Sequence, residues 1–415
     1  MKKQIYIFRK VMIQMRNFKR ILALMLVAVL CLSCFAACSK SGNTDGTTAA
    51  GDTTAAGEDK PAASGDNYAA NNTEYFIGAT GPLTGDAAQY GISVQNGAAL
   101  AVEEINAAGG LNGKNFKFDI KDDKAAAADA ATGYDTLYEA GMQASLGSVT
   151  SGSADSFAGK AVEDNVFVMT PSASAANVIA DRANAFRVCF GDPDQGVLAA
   201  EELSGKYEKI GAIYDTSDPY SSGIFEAFEA KMKELGKDFT TQTFDAENKK
   251  DFSTQVEALK DCDVIFVPIY YTEAGLIAKA ASAKGCDALI FGCDGLDGVK
   301  DQLDASVKNK VSYITPFDVE SKDEKVSAFV KAYTDKYGAA PDQFAADGYD
   351  AVYVIFEAMK KAGVDNVAIS ASELCDILVK TITAEDFSFT GVTGAMTWDA
   401  SGAPTKEPTI VELNK

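Results

Sequence analysis

The sequence contains no histidine among its 415 residues. That absence removes Ser-His-Asp triads, Cys-His pairs, HExxH zinc sites and histidine general bases together. Basic residues are also scarce, with 38 Lys and Arg against 59 Asp and Glu and a net charge of −21. Residues 1–37 hold seven of those bases and none of the acids, so the rest of the chain carries −28. Such acidity opposes nucleic-acid binding, which needs Lys and Arg to neutralise phosphates. Cysteine pairing is thin as well. Cys31, Cys34 and Cys38 fall in the N-terminal segment, leaving Cys189, Cys262, Cys286, Cys293 and Cys375, an odd number with no CxxC spacing. No metal site and no cofactor is expected, and free core thiols are the simplest reading. Cys262 and Cys286 each precede a strand-like run by two residues, so a bridge between them stays open.

The sequence also lacks an apolar run of comfortable membrane-spanning length. The nearest, Ile21–Ala37, is somewhat short for a spanning helix. Lys2, Lys3, Arg9, Lys10, Arg16, Lys19 and Arg20 precede it, and Phe35-Ala36-Ala37 stands before Cys38. A basic region, an apolar region and small residues before a cut describe an export signal over residues 1–37. From Cys38 to residue 73 almost nothing large and apolar occurs, and the segment repeats itself as DGTTAAGDTTAAGED. It cannot bury enough surface to offset ordering entropy, so a flexible tether is expected.

From Glu74 the texture changes to alternating strand and helix patterns. Apolar runs at Tyr75–Ala79, Phe116–Ile120, Ala144–Leu146, Val166–Met169 and Ala185–Phe190 read as strands. So do Ile210–Tyr214, Asp263–Pro268, Ala288–Phe291 and Val311–Thr315. Helical periodicity separates them, and two strong helices, Lys325–Tyr337 and Phe344–Ala362, follow. This alternation predicts α/β architecture with parallel sheets covered on both faces. The strands are too many for one compact sheet, so two doubly wound lobes are expected. A terminal hairpin, Phe387–Gly391 with Ala395–Trp398, and the strand Thr409–Leu413 could add edge strands to the second lobe.

The strand ends carry the chemistry. Ala144–Leu146 runs into Gly-Ser-Val-Thr-Ser151 at a helix start, and Val166–Met169 runs into Thr-Pro-Ser172-Ala-Ser174. Ligands of open α/β sheets sit at the carboxyl ends of strands, and helix N-termini with hydroxyls beside them hold small anions. Either cluster alone reads better as a cap or turn; two on successive strand ends make an anion-binding edge an equal reading. Tyr90, Tyr220 and Tyr270 follow strand ends or loops and offer apolar walls with a hydrogen-bonding tip. Tyr271 stays open. Asp122-Asp123 also stands at a strand end, where adjacent residues face opposite sides, so a structural role is expected there over acid–base work.

The run FIGATGPLTGDAAQYGISVQNGAALAVEEINAAGGLNGKNFKFDIKDD, Phe76–Asp123, resembles the type I periplasmic binding proteins of ABC importers, and among them the leucine/isoleucine/valine-binding proteins. The resemblance continues through Asp294 to the terminal GAMTWDASG and covers essentially everything from Glu74. It implies two lobes joined by a three-crossing hinge, residues 74–191 with 317–390 and residues 192–316 with 391–415. It implies a receptor, not an enzyme, that clamps a free amino acid, branched-chain or otherwise small and aliphatic, and delivers it to a membrane permease. Ser151, Ser172 and Ser174 match the positions that take the α-carboxylate, with no Arg or Lys among them, and Asp294 matches the acidic position that takes the ammonium. Relatives often carry Glu there. Phe-Ala-Ala-Cys38 resembles a lipobox, which implies lipidation of Cys38 and a monomer anchored to the outer face of the cell membrane. Some relatives have a cysteine pair where Lys124 and Thr150 stand. A same-fold receptor for an amide, urea or small aromatic acid is the alternative; a secreted enzyme and a surface sensor or adhesin are the other classes.

Overall fold

The computed structural model describes residues 67–406 and 408–413. The expected export signal, Cys38 and the tether up to residue 66 lie outside the described residues. The chain packs against the body from Asn67, earlier than the boundary expected at Glu74. Tyr68–Asn71 forms a short 3-10 turn, the Tyr68 ring meets Tyr138 edge-on at 5.3 Å, and the Asn72 side chain donates to the Gly141 carbonyl at 2.9 Å.

The first sheet is built from β1 (Tyr75–Gly81), β2 (Phe116–Asp122), β3 (Ala144–Ser148), β4 (Phe167–Thr170) and β5 (Ala185–Arg187), in the order β2-β1-β3-β4-β5. All neighbours are parallel. Intervening helices are α1 (Ala88–Ala107), α2 (Ala127–Glu139) and α3 (Ser151–Glu163). Side chains alternate along each strand, and the two faces find different helices. Tyr75, Ile77 and Ala79 pack with α1, whereas Phe76 packs with Tyr134 of α2 and Phe157 of α3.

The second sheet takes α4 (Asp192–Lys206), β6 (Ile210–Asp215), α5 (Pro219–Glu234), β7 (Thr240–Phe244), α6 (Ser253–Ala258), β8 (Val264–Val267), α7 (Tyr271–Lys284), β9 (Leu289–Gly292) and β10 (Val311–Thr315). Its order is β13-β10-β9-β8-β6-β7, where β13 (Thr409–Glu412) is antiparallel to β10. Strand β7 is missing from the sequence-based list because Thr-Thr-Gln-Thr on an exposed edge shows no apolar alternation. Helices α8 (Glu324–Tyr337), α9 (Gln343–Ala362) and α10 (Ala371–Ile382) lie between β10 and the end of the chain, and α9 and α10 return to the first sheet's core. The hairpin of β11 (Phe389–Gly391) and β12 (Gly394–Met396) forms its own two-stranded sheet and adds nothing to the second one. Its Met396, with Trp398, packs into the first sheet's core; only β13 joins the second sheet. Gly391 explains the placement, since it sits hard against the Asp350 carboxylate that accepts from Val392 and Thr393.

Three passages of chain therefore link the sheets. The third is stitched in place by Trp398 Nε1, which donates to the Arg187 carbonyl at 2.7 Å, and by Lys406, whose ammonium meets Asp347 at 3.2 Å with both side chains 2% exposed. Cys262 and Cys286 are free, as are Cys189, Cys293 and Cys375. Asp122 accepts from Leu83 and Thr84, and Asp123 accepts from Ser148 and Ala125, so the pair braces loops.

The crossing of α1 and α9 depends on glycine. A Cβ on Gly97 would lie 1.9 Å from the Ala345 carbonyl oxygen, and one on Gly348 would lie 2.8 Å from that of Val94. Gly97→Ala should destabilise the fold by about 1–3 kcal/mol through overpacking. Urea unfolding monitored by circular dichroism checks this; an unchanged midpoint would mean that the helices can separate at no cost.

Candidate functional site

Strand β3 delivers its last residues to the seam between the sheets. Gly147, at φ +65°, takes a conformation that L side chains avoid, and the chain turns there into Ser148-Val149-Thr150. Thr150 is the N-cap residue of α3, yet its side chain makes no capping bond, so the first-turn N–H groups of that helix are free of a protein cap. The loop after β4 lies alongside. Ser151 Oγ accepts from Ala175 N at 3.2 Å, and Ser172 Oγ donates to the Val149 carbonyl at 2.8 Å. Ser151 keeps its proton for a guest, whereas Ser172 has spent its own and offers only lone pairs.

Across the seam, β9 ends in Cys293-Asp294-Gly295. Asp294 is 3% exposed. Its carboxylate accepts from the Tyr220 hydroxyl at 2.7 Å, its N–H donates to Gln195 Oε1 at 3.0 Å, and its carbonyl accepts from Gln343 Nε2 at 2.9 Å. Burial pushes its pKa up to about 6, opposed by the bond from Tyr220 and by the nearby Arg187 guanidinium.

Both sides line one small cavity of about 20 Å³, bounded by Tyr90, Val149, Thr150, Ser151, Ser172, Tyr220, Tyr270, Asp294, Gly295 and Phe344. Six of the seven side chains singled out from the sequence meet there. Ser174 does not; it sits one layer deeper, beside the Asp192 carboxyl group, while its carbonyl accepts from Arg187. Tyr220 and Tyr270 stack at 5.0 Å with ring planes 13° apart, and Tyr90 meets Tyr270 edge-on at 5.5 Å. Tyr271 stays outside the lining, with its N–H directed at Tyr90.

Tyr90 departs from the expected role. Its hydroxyl donates to the Gly295 carbonyl at 2.5 Å and accepts from Tyr271 N at 3.0 Å, so both functions of the group are spent on the opposite side of the seam. It is a clasp between the two halves. Thr272 Oγ1, donating to the Asp86 carbonyl at 2.9 Å, is a second cross-seam bond.

Several polar groups here were not found from the sequence. Thr150 Oγ1 lines the cavity, buried and without a hydrogen-bond partner. Behind it, Arg187 Nε, both Asp192 carboxylate oxygens and Gln195 Nε2 are also buried without partners. Arg187 is a cation beside the serine cluster, bonded to the Ser174 and Ala175 carbonyls and outside the matched positions. The only signal was the run Arg187-Val-Cys-Phe-Gly-Asp192, with charged residues on either side of a strand end, which reads equally as a solvated loop. The orphaned Thr150 hydroxyl on the cavity wall suits a polar guest, because a buried polar group left alone costs about 1–3 kcal/mol.

A family profile described as "Periplasmic binding protein" matches residues 74–414. Leu/Ile/Val-binding protein homolog 1 of Brucella abortus is 27% identical over 338 residues, 80% of this chain and 88% of its own. The branched-chain amino acid transporter substrate binding protein LivJ of Streptococcus pneumoniae, solved in complex with isoleucine, is 31% identical with a TM-score of 0.74, over 82% of this chain and 96% of its own. A solute binding protein of an R. palustris ABC transporter, solved in complex with benzoate, is 20% identical with a TM-score of 0.72, over 82% and 93%, and shares the fold.

Tyr90→Phe removes the clasp and leaves Gly295 O and Tyr271 N without partners on closure. Ligand affinity should fall roughly tenfold or more, at about 1–3 kcal/mol for unpaired buried groups, while the fold is kept. Isothermal titration together with small-angle scattering of the ligand-free variant checks this. Unchanged affinity with an unchanged radius of gyration would remove the clasp role.

Proposed function

The chain belongs to the type I periplasmic binding protein family of non-enzymatic, extracytoplasmic solute receptors of ABC transporters, and we propose that its ligand is a free amino acid held between two lobes. The lobes would be residues 74–191 with 317–390 and residues 192–316 with 391–415, except that Met396 and Trp398 pack with the first. The ligands named for relatives make a branched-chain or other small aliphatic amino acid the first to test. The carrying observation is that Asp294 and the hydroxyls of Ser151 and Thr150 line one cavity from opposite sheets.

In this reading Ser151, Thr150 and the uncapped first turn of α3 take the carboxylate, without a cation in direct contact. Asp294, steadied by Tyr220, takes the ammonium, and the faces of Tyr90, Tyr220 and Tyr270 add cation–π attraction. Ser172 offers lone pairs. Ser174 and Arg187 support the floor from one layer below. Since the two ends of the zwitterion touch different lobes, the ligand makes both sets of contacts only when the cleft is closed, and that differential shifts the open–closed population. The closed form then docks on the permease. Cys38, at the end of the proposed signal, would carry the lipid that anchors a monomer to the membrane.

The second reading, a small aromatic acid or amide, draws on the same aromatic walls and on the benzoate-bound neighbour in fold. Asp294 separates the two, because an ammonium needs a carboxylate and a neutral group does not. A thermal-shift screen of the amino acids, benzoates and simple amides should give a hit among the amino acids, with about 2.7 kcal/mol of added stability at a hundred times the dissociation constant. Asp294→Ala should abolish that hit; a variant binding as tightly as the wild type would exclude the charge pair.

The pH dependence has two opposite signs. With its pKa raised from about 3.9 to about 6, native Asp294 holds a proton that the unfolded chain has already released. Ligand-free stability therefore falls as pH rises through that window, and Asp347, raised to about 7 by burial, acts the same way. An ammonium ligand favours the ionised carboxylate, so the stabilisation it confers should grow between about pH 5 and pH 7.5. Equal ligand-induced shifts of melting temperature at both ends would contradict the pairing.

A further inference from the structure

The cavity at the seam holds little more than the polar head of a ligand, for 20 Å³ is room for about one water. A second cavity of about 430 Å³ lies against it, and Tyr220 and Tyr270 form a wall common to both. That size falls within the range of small-molecule sites. A ligand body too large for the inner cavity would need this outer chamber.

The outer walls differ in kind from the inner ones. Phe244 and Ile269 supply some apolar surface, but four carboxylates, those of Asp86, Asp215, Asp218 and Glu273, face two lysines, Lys124 and Lys249. Lys124 pairs with Asp129 at 3.1 Å, and Lys249 is divided between Glu273 at 3.3 Å and Asp86 at 3.8 Å. Among the described residues no ion pair reaches Asp218. Its Oδ1 accepts from Tyr220 N and Ser221 N, and burial lifts its pKa. Glu273 is 6% exposed and is lifted by burial despite Lys249. The Tyr270 hydroxyl, buried at the boundary of the two cavities, lies on the side of the Asp218 carboxyl and makes no well-formed hydrogen bond among the described residues. A branched aliphatic side chain here would press methyl groups against under-solvated carboxylates. A long stem lying along the stacked tyrosines and ending in a cation would satisfy them.

We propose that the ligand is an amino acid with an extended cationic side chain, whose charged end lies beside Asp218 and Glu273 in the outer chamber. The proposal rests on the amino-acid reading above and replaces only its aliphatic side chain.

The test is isothermal titration of the full-length protein in detergent with lysine, arginine, leucine and isoleucine. Lysine or arginine should bind at least roughly tenfold more tightly than leucine, since charge-assisted hydrogen bonds are about twice as strong as neutral ones. Asp218→Asn keeps the helix cap, because Asn caps as well as Asp, and Glu273→Gln keeps the volume. Each should weaken the cationic ligand roughly tenfold without weakening leucine, whose methyl groups lose an unfavourable neighbour. Leucine binding as tightly as lysine and arginine, or cationic affinity unmoved in both variants, would overturn the assignment. If leucine is preferred and Asp294→Ala still abolishes binding, the zwitterion clamp stands and the chamber assignment alone fails. If no amino acid binds the wild type, the clamp fails and this proposal fails with it.

Discussion

The carboxylate of Asp294, kept out of water at the seam between two sheets, is the group on which the surrounding structure depends. An ion there would be prohibitive without a partner, and the elements nearby hold both the carboxylate and its backbone. Helix α5 brings the Tyr220 hydroxyl to the carboxylate, α4 brings Gln195 Oε1 to the Asp294 N–H, and α9 brings Gln343 to the Asp294 carbonyl. Those helices reach the seam by different routes through the chain, so the same residue that can pair an ammonium also ties the two halves together. Its pKa of about 6 records the balance, with burial winning over the hydrogen bonds.

Closure has its own fastenings. Tyr90 makes two bonds across the seam and Thr272 a third, none of which involves the cavity-facing polar atoms of Ser151 or Thr150. The hinge side is fastened differently, through buried charge. Lys406 meets Asp347 where the last passage of chain runs beneath Thr393 and the Val188 carbonyl, and the Arg187 backbone is held from both sides by Trp398 and Gly402. The crossings and the Tyr90 bonds thus fasten the two sheets by separate sets of contacts, and a two-lobed receptor whose closed form is to be populated by ligand contacts needs both a joint and a closing surface.

The layered α/β character was legible because strands buried on both faces read as unbroken apolar runs, as in Val264–Val267, and amphipathic helices such as α9 carry a strong 3.6 period. What failed was local in cause. Strand β7 is an exposed edge of threonines, so it leaves no apolar trace. The terminal hairpin was expected on the second sheet, but Asp350 and the Trp398 contact to Arg187 hold it on the first. For the site, hydroxyls at strand ends and Asp294 could be named from pattern and resemblance, whereas Ser174 and Ser172 could not be told apart. Ser174 is buried beside the Asp192 carboxyl group, whereas Ser172 spends its hydroxyl on the Val149 carbonyl, and neighbours of that kind are set by packing between loops.

The sequence by itself determined the chemistry available, because composition is fixed before folding. Without histidine and with a surplus of carboxylates, the chain can bind with hydroxyls, peptide dipoles, tyrosine rings and acids, and the order of its apolar runs dictates parallel layered sheets. Only the tertiary structure decided which of those groups face one another. Tyr90 and Gly295 are 205 positions apart, and no local pattern encodes that a phenol on one sheet's helix will spend its hydroxyl on the other sheet's loop. Likewise, Arg187 and Asp192 become part of the seam because a crossing of the chain buries them there, and burial is a property of the whole packed fold.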